Sequence, residues 1–491
     1  MSPFDKVRYE RLLKGLEVTE VLCSEAMGGT ETSRIDPEYF NRDAIVAQKK
    51  IGPGQSLGDL VLDGYRVVYE TTQAIDREEG ERLGLPYFLQ AADISTPFIH
   101  AEGMICVPEA DWIRYPKGRI KPGELLIEVK GKAEKVALVP DDFPQKTLVT
   151  GTCFKLTTKA QVDRYFLAAY LISRYGQALK DRLKSNLLVA YIAKDDLYGL
   201  PVPQVSDELK RQLQRCFESI FSSQGRARKL LGDAEQHLAA VLGLDSWSPR
   251  EALSYVRTSR QAFEAGRFDA EYFHPAKAQA LVHLRALSDV CVGDLFDSIR
   301  ELWQPTGAGG SPVRNYDLTD ALDPFLDPSK PTTAPEDIAS TKKAIATGDL
   351  VVSRLRSYLR EIAVVLPSDG VPSVASTEFI VLRPKAERPL SVEALLVYLR
   401  LRLPQIVFKW SQDGSNHPRF DERELLNLPV PRALIAGQAT YEAAVREMVT
   451  QRQRATRLLD AAKRAVEIAI EDSEAAALAY LTAANPPAAD A

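Results

Sequence analysis

The sequence is poor in the residues that build metal and redox sites. It has five cysteines in 491 residues (Cys23, Cys106, Cys153, Cys216, Cys291) and no Cys-x-x-Cys. Neither a disulfide framework nor a zinc ribbon is therefore expected. Its five histidines (His100, His237, His274, His283, His417) never stand three or four apart, as a helical metal pair would. No run of about 18 apolar residues exists, so no membrane-spanning helix is expected. There is no GxxxxGK[ST] loop for nucleotide phosphates and no GxSxG nucleophile elbow. The opening MSPFDKVRYERLLKG lacks the apolar core of a secretory signal, and a reduced, cytoplasmic protein is expected. The net charge of −5 gives no overall pull toward nucleic acid, so any such binding must come from local basic patches. What remains is ordinary: 45% hydrophobic and 26% charged residues, enough for a real core. The length suggests two to four domains.

The sequence instead has internal repetition. Residues 34–40 read RIDPEYF and residues 267–273 read RFDAEYF, 233 apart (267 − 34). GELLIEVKGKAEKVALVP (123–140) meets GDLVVSRLRSYLREIAVVLP (348–367), with Gly123 against Gly348. VTGTCFKL (149–156) meets VASTEFIVL (374–382), LYGLPVP (197–203) meets LLNLPVP (425–431), and RARKLLGDA (226–234) meets RATRLLDAA (454–462). The small drift in offset means short loop insertions within a duplication. Each half is a segment of short β-branched strands mixed with helices (164–183 and 392–410), a Leu-Pro-Val-Pro stop, and a long helix. The expected boundaries are 1–203 and 247–431 for the mixed α/β segments, 204–246 and 432–480 for the helices, and 481–491 for a frayed tail.

The first long helix has apolar residues at Leu209, Leu213, Phe217, Ile220, Ala227, Leu230 or Leu231, Ala234, Leu238 and Val241. The second has Tyr441, Val445, Met448, Ala455, Leu458, Ala462, Val466 and Ala469. This three-to-four spacing is that of a coiled-coil seam. Both seams are interrupted by a polar residue, Gln224 and Arg452, at the same place in the repeat (452 − 224 = 228). Matched stripes in a duplicated chain are expected to pack on each other.

Three stretches could carry chemistry. LIEVKGK (126–132) holds Glu128-x-Lys130, the shape of half a magnesium-nuclease site, with Asp111 a candidate upstream ligand. The pattern is common on exposed strands, and the second copy has Ser353 and Leu355 there. SRLRSYLR (353–360), if extended, turns Arg354, Arg356, Tyr358 and Arg360 to one side without an intervening acid. Guanidiniums interleaved with an aromatic suit phosphates and base edges. DGSNHPRF (413–420) offers Ser415, Asn416, His417 and Arg419 in a polar loop. The NPPA at 485–488 lacks the aromatic that completes the amino-methyltransferase motif.

The order of these pieces, given twice, resembles the specificity (S) subunit of type I restriction–modification systems. The matching pieces are PYFLQAADI (86–94) and PVRNYDL (312–318), then the Gly-initiated strands at 123 and 348, the DGSNHPRF loop, and GLPVP and NLPVP before the helices. The resemblance spans about residues 20 to 470. It implies two target-recognition domains of mixed α/β fold, separated and joined by two antiparallel helices, with pseudo-twofold symmetry in one chain. Gln224 and Arg452 would then meet at the centre of the helix pair. It implies no catalytic activity in this chain, and reading of a bipartite site on double-stranded DNA. Lys130, Lys132, Arg314, Asn315, Arg354, Arg356, Tyr358, Arg360, Ser415, Asn416, His417 and Arg419 are the DNA-facing candidates. The implied partners are two adenine methyltransferase subunits and often a translocating nuclease, which carry AdoMet, ATP and Mg. The system serves antiviral defence and DNA methylation. Two other readings remain open: a metal-dependent nuclease at Glu128 and Lys130, and a helical scaffold that binds no DNA.

Overall fold

A computed structural model describes residues 5–485 apart from 14–19, 29–33, 35, 70–71, 145, 186–187, 246, 251, 253, 306–309 and 388–389. The chain forms two compact units, Met1–Ser223 with Arg454–Ala491, and Gln224–Gln453. The boundaries fall inside the two long helices, not at their ends.

The first unit has an antiparallel sheet of β1 (Val61–Tyr65), β6 (Cys153–Thr158), β3 (Leu125–Glu128) and β4 (Val136–Leu138), in that spatial order. In a second, smaller sheet, β2 (Tyr87–Leu89) runs parallel to β5 (Thr147–Val149). Around them lie helices α1 (Arg42–Ile51), α2 (Asp163–Ile172) and α3 (Arg174–Leu183). The long α4 (Asp207–Val241) enters this unit by its N-terminal half. β3 and β4 are buried on both faces, which is why they read as unbroken apolar runs.

The second unit repeats this plan. Its helices α5 (Ser259–Ala265) and α6 (Pro275–Leu287) precede a five-stranded sheet. That sheet runs β7 (Phe296–Ile299), β14 (Phe379–Pro384), β11 (Leu350–Ser353), β12 (Ile362–Val365), β9 (Phe325–Leu326). β8 (Arg314–Tyr316) pairs in parallel with β13 (Ser373–Ala375), which pairs antiparallel with β10 (Lys342–Ile345). Helices α7 (Val392–Arg400) and α8 (Arg402–Lys409) follow, then the N-terminal part of α9 (Arg432–Glu471), whose remainder belongs to the first unit together with α10 (Glu474–Ala484).

The repetition reaches single hydrogen bonds. Tyr170 on α2 donates its hydroxyl to the Pro201 carbonyl, and Tyr398 on α7 does so to Pro429. Gly123 (φ +81°) and Gly348 (φ +85°) take a left-handed turn that suits glycine. Each precedes a buried carboxylate on a cation of the neighbouring strand, Glu124 with Lys155 at 2.6 Å and Asp349 with Arg383 at 2.7 Å. The repeated Arg-x-Asp-x-x-Tyr phrase is a clasp. Arg34 Nε and Nη2 each lie 2.8 Å from the Asp36 carboxylate, whose Oδ1 accepts from the Tyr39 amide, and Nη1 donates to the Arg182 carbonyl at the end of α3. Arg267 grips Asp269 through Nε alone, and its two Nη atoms donate to the Ser411 and Gln412 carbonyls just beyond α8. The phrase recurs because each unit ties its entering chain to the same helix end.

Three expectations are corrected. The helices read over 164–183 and 392–410 are each broken, at Ser173 (ψ 162°) and Leu401 (ψ 157°), which adopt extended conformations. Ser173 caps α3 by accepting from the Gly176 amide, and a Cβ on Gly176 would lie 2.1 Å from the Tyr170 carbonyl oxygen. Val241, read as the last seam position of α4, is exposed, while Leu242 is buried instead. The helix read over 432–480 ends at Glu471, and Ser473 caps a separate α10 that runs on through 481–484, the start of the stretch read as a frayed tail, with Leu481 buried in the first core. Residues 486–491 lie outside the described residues.

The long helices pair antiparallel in each unit taken by itself. In the first, Cys216 Sγ donates to the Leu458 carbonyl at 3.4 Å, amid Leu213, Phe217, Ile220 and Ala462. In the second, Arg226 pairs with Glu447 at 3.2 Å, and His237 Nδ1 lies 3.2 Å from the Tyr441 hydroxyl. These two contacts of the second unit have residue numbers adding to 673 and 678, which sets Gln224 opposite 449–454. Gln224 and Gln451 are buried, and Arg452 pairs with Asp323 at 3.1 Å.

Candidate nucleic-acid interface

In the second unit, β11 stops at Ser353, and the residues after it do not continue as a strand. Arg356 (φ +48°) and Arg360 (φ +52°) take left-handed conformations that cost a non-glycine residue energy, flanking a 3₁₀ turn at Ser357–Leu359. The expected single face of Arg354, Arg356, Tyr358 and Arg360 is therefore not formed. Tyr358 is exposed at the tip of the turn, and Arg360 lies within electrostatic range of Arg400 and Glu235.

The turn is held by the polar loop that sequence reading also selected. Asp413 and Arg419 exchange backbone hydrogen bonds of 2.8 and 2.9 Å, which close the loop. The Arg356 amide donates to the Pro418 carbonyl, and the Phe420 amide to the Arg354 carbonyl. The Arg356 guanidinium reaches the Asn416 carbonyl at 3.5 Å and His417 Nδ1 at 3.4 Å. Ser415, Asn416 and His417 are all exposed. Two segments about sixty residues apart thus form one polar edge carrying Arg354, Arg356, Tyr358, Asn416, His417 and Arg419.

Sequence reading missed the acid at the centre of this edge. Glu378 receives Arg354 Nε at 2.9 Å and Arg419 Nη2 at 2.7 Å. The Arg419 hydrogen bond foremost, with Arg354 adding, holds its carboxyl below the usual glutamate value against the cost of burial. Glu378 fixes two guanidiniums and leaves one net positive charge. Its distance of 24 and 41 residues from its partners hid it. Glu361 was missed too: it is buried, and burial raises its carboxyl while Ser353 and Arg356 oppose the rise.

Arg314 does not belong to this edge. It is buried, with its guanidinium on Asp369 at 3.1 Å and on the Lys330 carbonyl at 2.9 Å. Its strand neighbour Asn315 is only partly exposed, and its Oδ1 is buried. Both lie on β8, the end strand of the smaller sheet, and are held by the fold.

The first unit builds the same frame from other side chains. Lys130 bridges to Tyr191 as Leu355 bridges to Arg419, at offsets of 225 and 228. Lys130 and Lys132 are exposed, and beside them the loop presents Leu188, Val189 and Tyr191 to solvent. Glu128 is not a free metal ligand. It is buried and accepts from the amides of Glu134 at 3.0 Å and Lys135 at 3.2 Å, closing the hairpin turn. Lys180, wholly buried, donates to the carbonyls of Ala133 and Glu134 in the same turn. Among the described residues no group of three or more His, Cys, Asp or Glu side chains could hold a metal. Among them also, no helix is long and apolar enough to cross a membrane.

No family model matches the chain, and no curated protein does. Three solved structures align over most of it. The type I restriction–modification S subunit from M. genitalium is 13% identical, covering 87% of this chain and 95% of its own, with a TM-score of 0.33. A chain from the complex assembly and conformational transition of a type I restriction–modification system is 15% identical, covering 88% and 98%, with a TM-score of 0.25. The HsdS subunit from Thermoanaerobacter tengcongensis is 14% identical, covering 88% and 96%, with a TM-score of 0.22.

Proposed function

We propose that this chain is the non-catalytic specificity subunit of a type I restriction–modification-like complex. Each unit reads one half of a bipartite site on double-stranded DNA, and the paired helices fix the spacing of the two readers. Adenine methyltransferase subunits, two per chain, and a translocating nuclease bring AdoMet, ATP and Mg, and the complex works in the cytoplasm. The observation that carries this reading is the doubled loop frame. The bridge of Lys130 with Tyr191 and that of Leu355 with Arg419 repeat one backbone arrangement with different side chains. A bipartite, non-repeated DNA sequence calls for such a pair of readers. In the second unit the candidates are Arg354, Arg356, Tyr358, Ser415, Asn416, His417 and Arg419, whose groups match phosphates and base edges. In the first they are Lys130 and Lys132. The nuclease reading loses support from Glu128, whose carboxylate is committed to its own hairpin.

The test is methylome sequencing of cells expressing this chain with its methyltransferase partner. A bipartite methylated motif that vanishes without this chain is the expected result. A continuous motif, or methylation independent of this chain, overturns the reading.

A further inference from the structure

The second unit contains a cavity of about 1120 Å³ that the doubled frame does not explain. Its walls are the arm 257–267 with α5, one face of α6, and residues 411–427 together with Arg354. Seven cationic and four acidic residues line it, and the acids Asp269 and Glu378 stand behind three of the cations, which leaves a smaller positive surplus on a chain of net charge −5. Most of these cations are already paired. Lys277 sits on Glu424, Arg423 on Asp421, Arg267 on Asp269, and Arg354 and Arg419 on Glu378. The guanidinium of Arg257 bonds only to the carbonyls of Val256 and Phe273 among the hydrogen bonds described. Arg285 is exposed on α6 without an ion-pair partner among the described residues.

Beside these two open charges stands an apolar rim. Phe263, 72% exposed, and Phe268, 71% exposed, meet edge to face at 5.4 Å, and Val256 nearby in sequence is 89% exposed. None of the three belongs to a core cluster. The arm is nonetheless built. Thr258 and Gln261 form a capping box on α5, Gly266 ends it in a left-handed turn, and Tyr255 donates to the Ala270 carbonyl.

We propose that this cavity and its aromatic rim form a docking cleft for an acidic segment of a partner protein, anchored by one aromatic or aliphatic side chain on Phe263 and Phe268. The charge surplus selects an acidic ligand, and planar guanidiniums bind carboxylates with two parallel bonds. The exposed Phe pair selects a ligand with an apolar side chain of its own. Duplex DNA satisfies only the first condition. Its base faces are stacked and out of reach, which leaves the Phe pair without a partner. The Phe pair stands apart from the polar edge read as DNA-facing, although Arg354 and Arg419 line the cleft as well.

The test is selection of a random dodecapeptide library displayed on phage against the full chain. The comparison proteins are Phe263→Ser with Phe268→Ser, Arg285→Glu, and the control Leu188→Ser. All substituted residues are exposed, and circular dichroism checks that each variant keeps its fold. Enriched peptides are expected to share acidic residues around one aromatic or aliphatic position. They should bind the double variant and Arg285→Glu at least about tenfold more weakly, as loss of one buried Phe contact implies, and the control unchanged. No consensus, a consensus without acids, or equal binding to the variants overturns the proposal.

Discussion

Arg419 holds Glu378 through both Nη2, 2.7 Å from Oε1, and Nε, 3.0 Å from the same carboxylate. The pair is partly exposed to solvent, so its contribution to stability is small. Its effect on geometry is larger, because Arg354 leans on the same acid. Glu378→Gln is expected to leave the fold intact and to loosen both arginines. Non-specific DNA affinity should then rise with the added positive charge while discrimination between sites falls, read by binding titrations on matched and mismatched duplexes.

The same carboxylate gives a pH signature. Its folded pKa lies below the ordinary 4.5, with the Arg419 bond the main cause. For an acid depressed by folding, the stabilisation is complete above 4.5 and disappears as pH falls through the lower folded value. The difference in melting temperature between wild type and Glu378→Gln should be constant from pH 7 to 5 and shrink below 4.5. A difference that grows on acidification would contradict the pairing.

Lys180 shifts in the same direction, in a higher pH window and for a different reason. Burial pushes its ammonium pKa down to about 7 from 10.5. Its nitrogen has two acceptors, the carbonyls of Ala133 at 3.2 Å and Glu134 at 2.9 Å, and a neutral amine has two hydrogens to give. Between pH 7 and 10.5 the unfolded chain binds a proton here that the folded chain does not, so stability rises with pH across that window. Urea unfolding at pH 7, 8.5 and 10 should show the rise in wild type and its loss in Lys180→Met.

Removing a buried hydroxyl leaves its acceptor stranded. Tyr398→Phe deprives the Pro429 carbonyl of its donor, and Tyr170→Phe does the same to Pro201. Each should cost about 1–3 kcal/mol by denaturant titration. The two losses should add, since the residues belong to separate cores.

Two arginines should separate cleanly. Arg356→Ala is expected to lower the salt slope of DNA binding by about one, as removal of one phosphate contact does. Arg314→Ala should leave that slope unchanged and reduce stability, because it abandons Asp369 and the Lys330 carbonyl. Equal slopes for wild type and Arg356→Ala would make Arg356 a plain surface charge.

For the helix pair, Gln224→Cys with Arg452→Cys should join through a short bismaleimide. Failure to join would contradict the register set by Arg226 with Glu447.

The duplication, the long helices and most strands were legible because they rest on apolar period and on turn residues. α4 was read over 204–246 and spans Asp207–Val241. The two loops that meet at the polar edge were also legible, through their excess of arginine and small polar residues. The shape of SRLRSYLR was not. The bonds that bend it come from Pro418 and from Gln412, whose side chain donates to Ser357 Oγ at 3.0 Å, and local pattern says nothing of partners so far along the chain. Arg314 failed for the same reason: a strand arginine looks free until Asp369, 55 residues away, is seen beside it. The breaks at Ser173 and Leu401 lie inside apolar runs that continue on either side, so periodicity passes over them.

The second unit is one uninterrupted stretch, Gln224–Gln453, while the first is assembled from both ends of the chain. Genetically this makes the second half a cassette. It could be exchanged between related genes with only two crossovers, each within the codons of a long helix, where any sequence keeping the apolar spacing would splice. The first half has no such freedom. A chain cut before Arg454 would strip Leu458 and Val466 from the core around Phe217 and Ile220, and so would lose the half whose own coding region was left nearly whole.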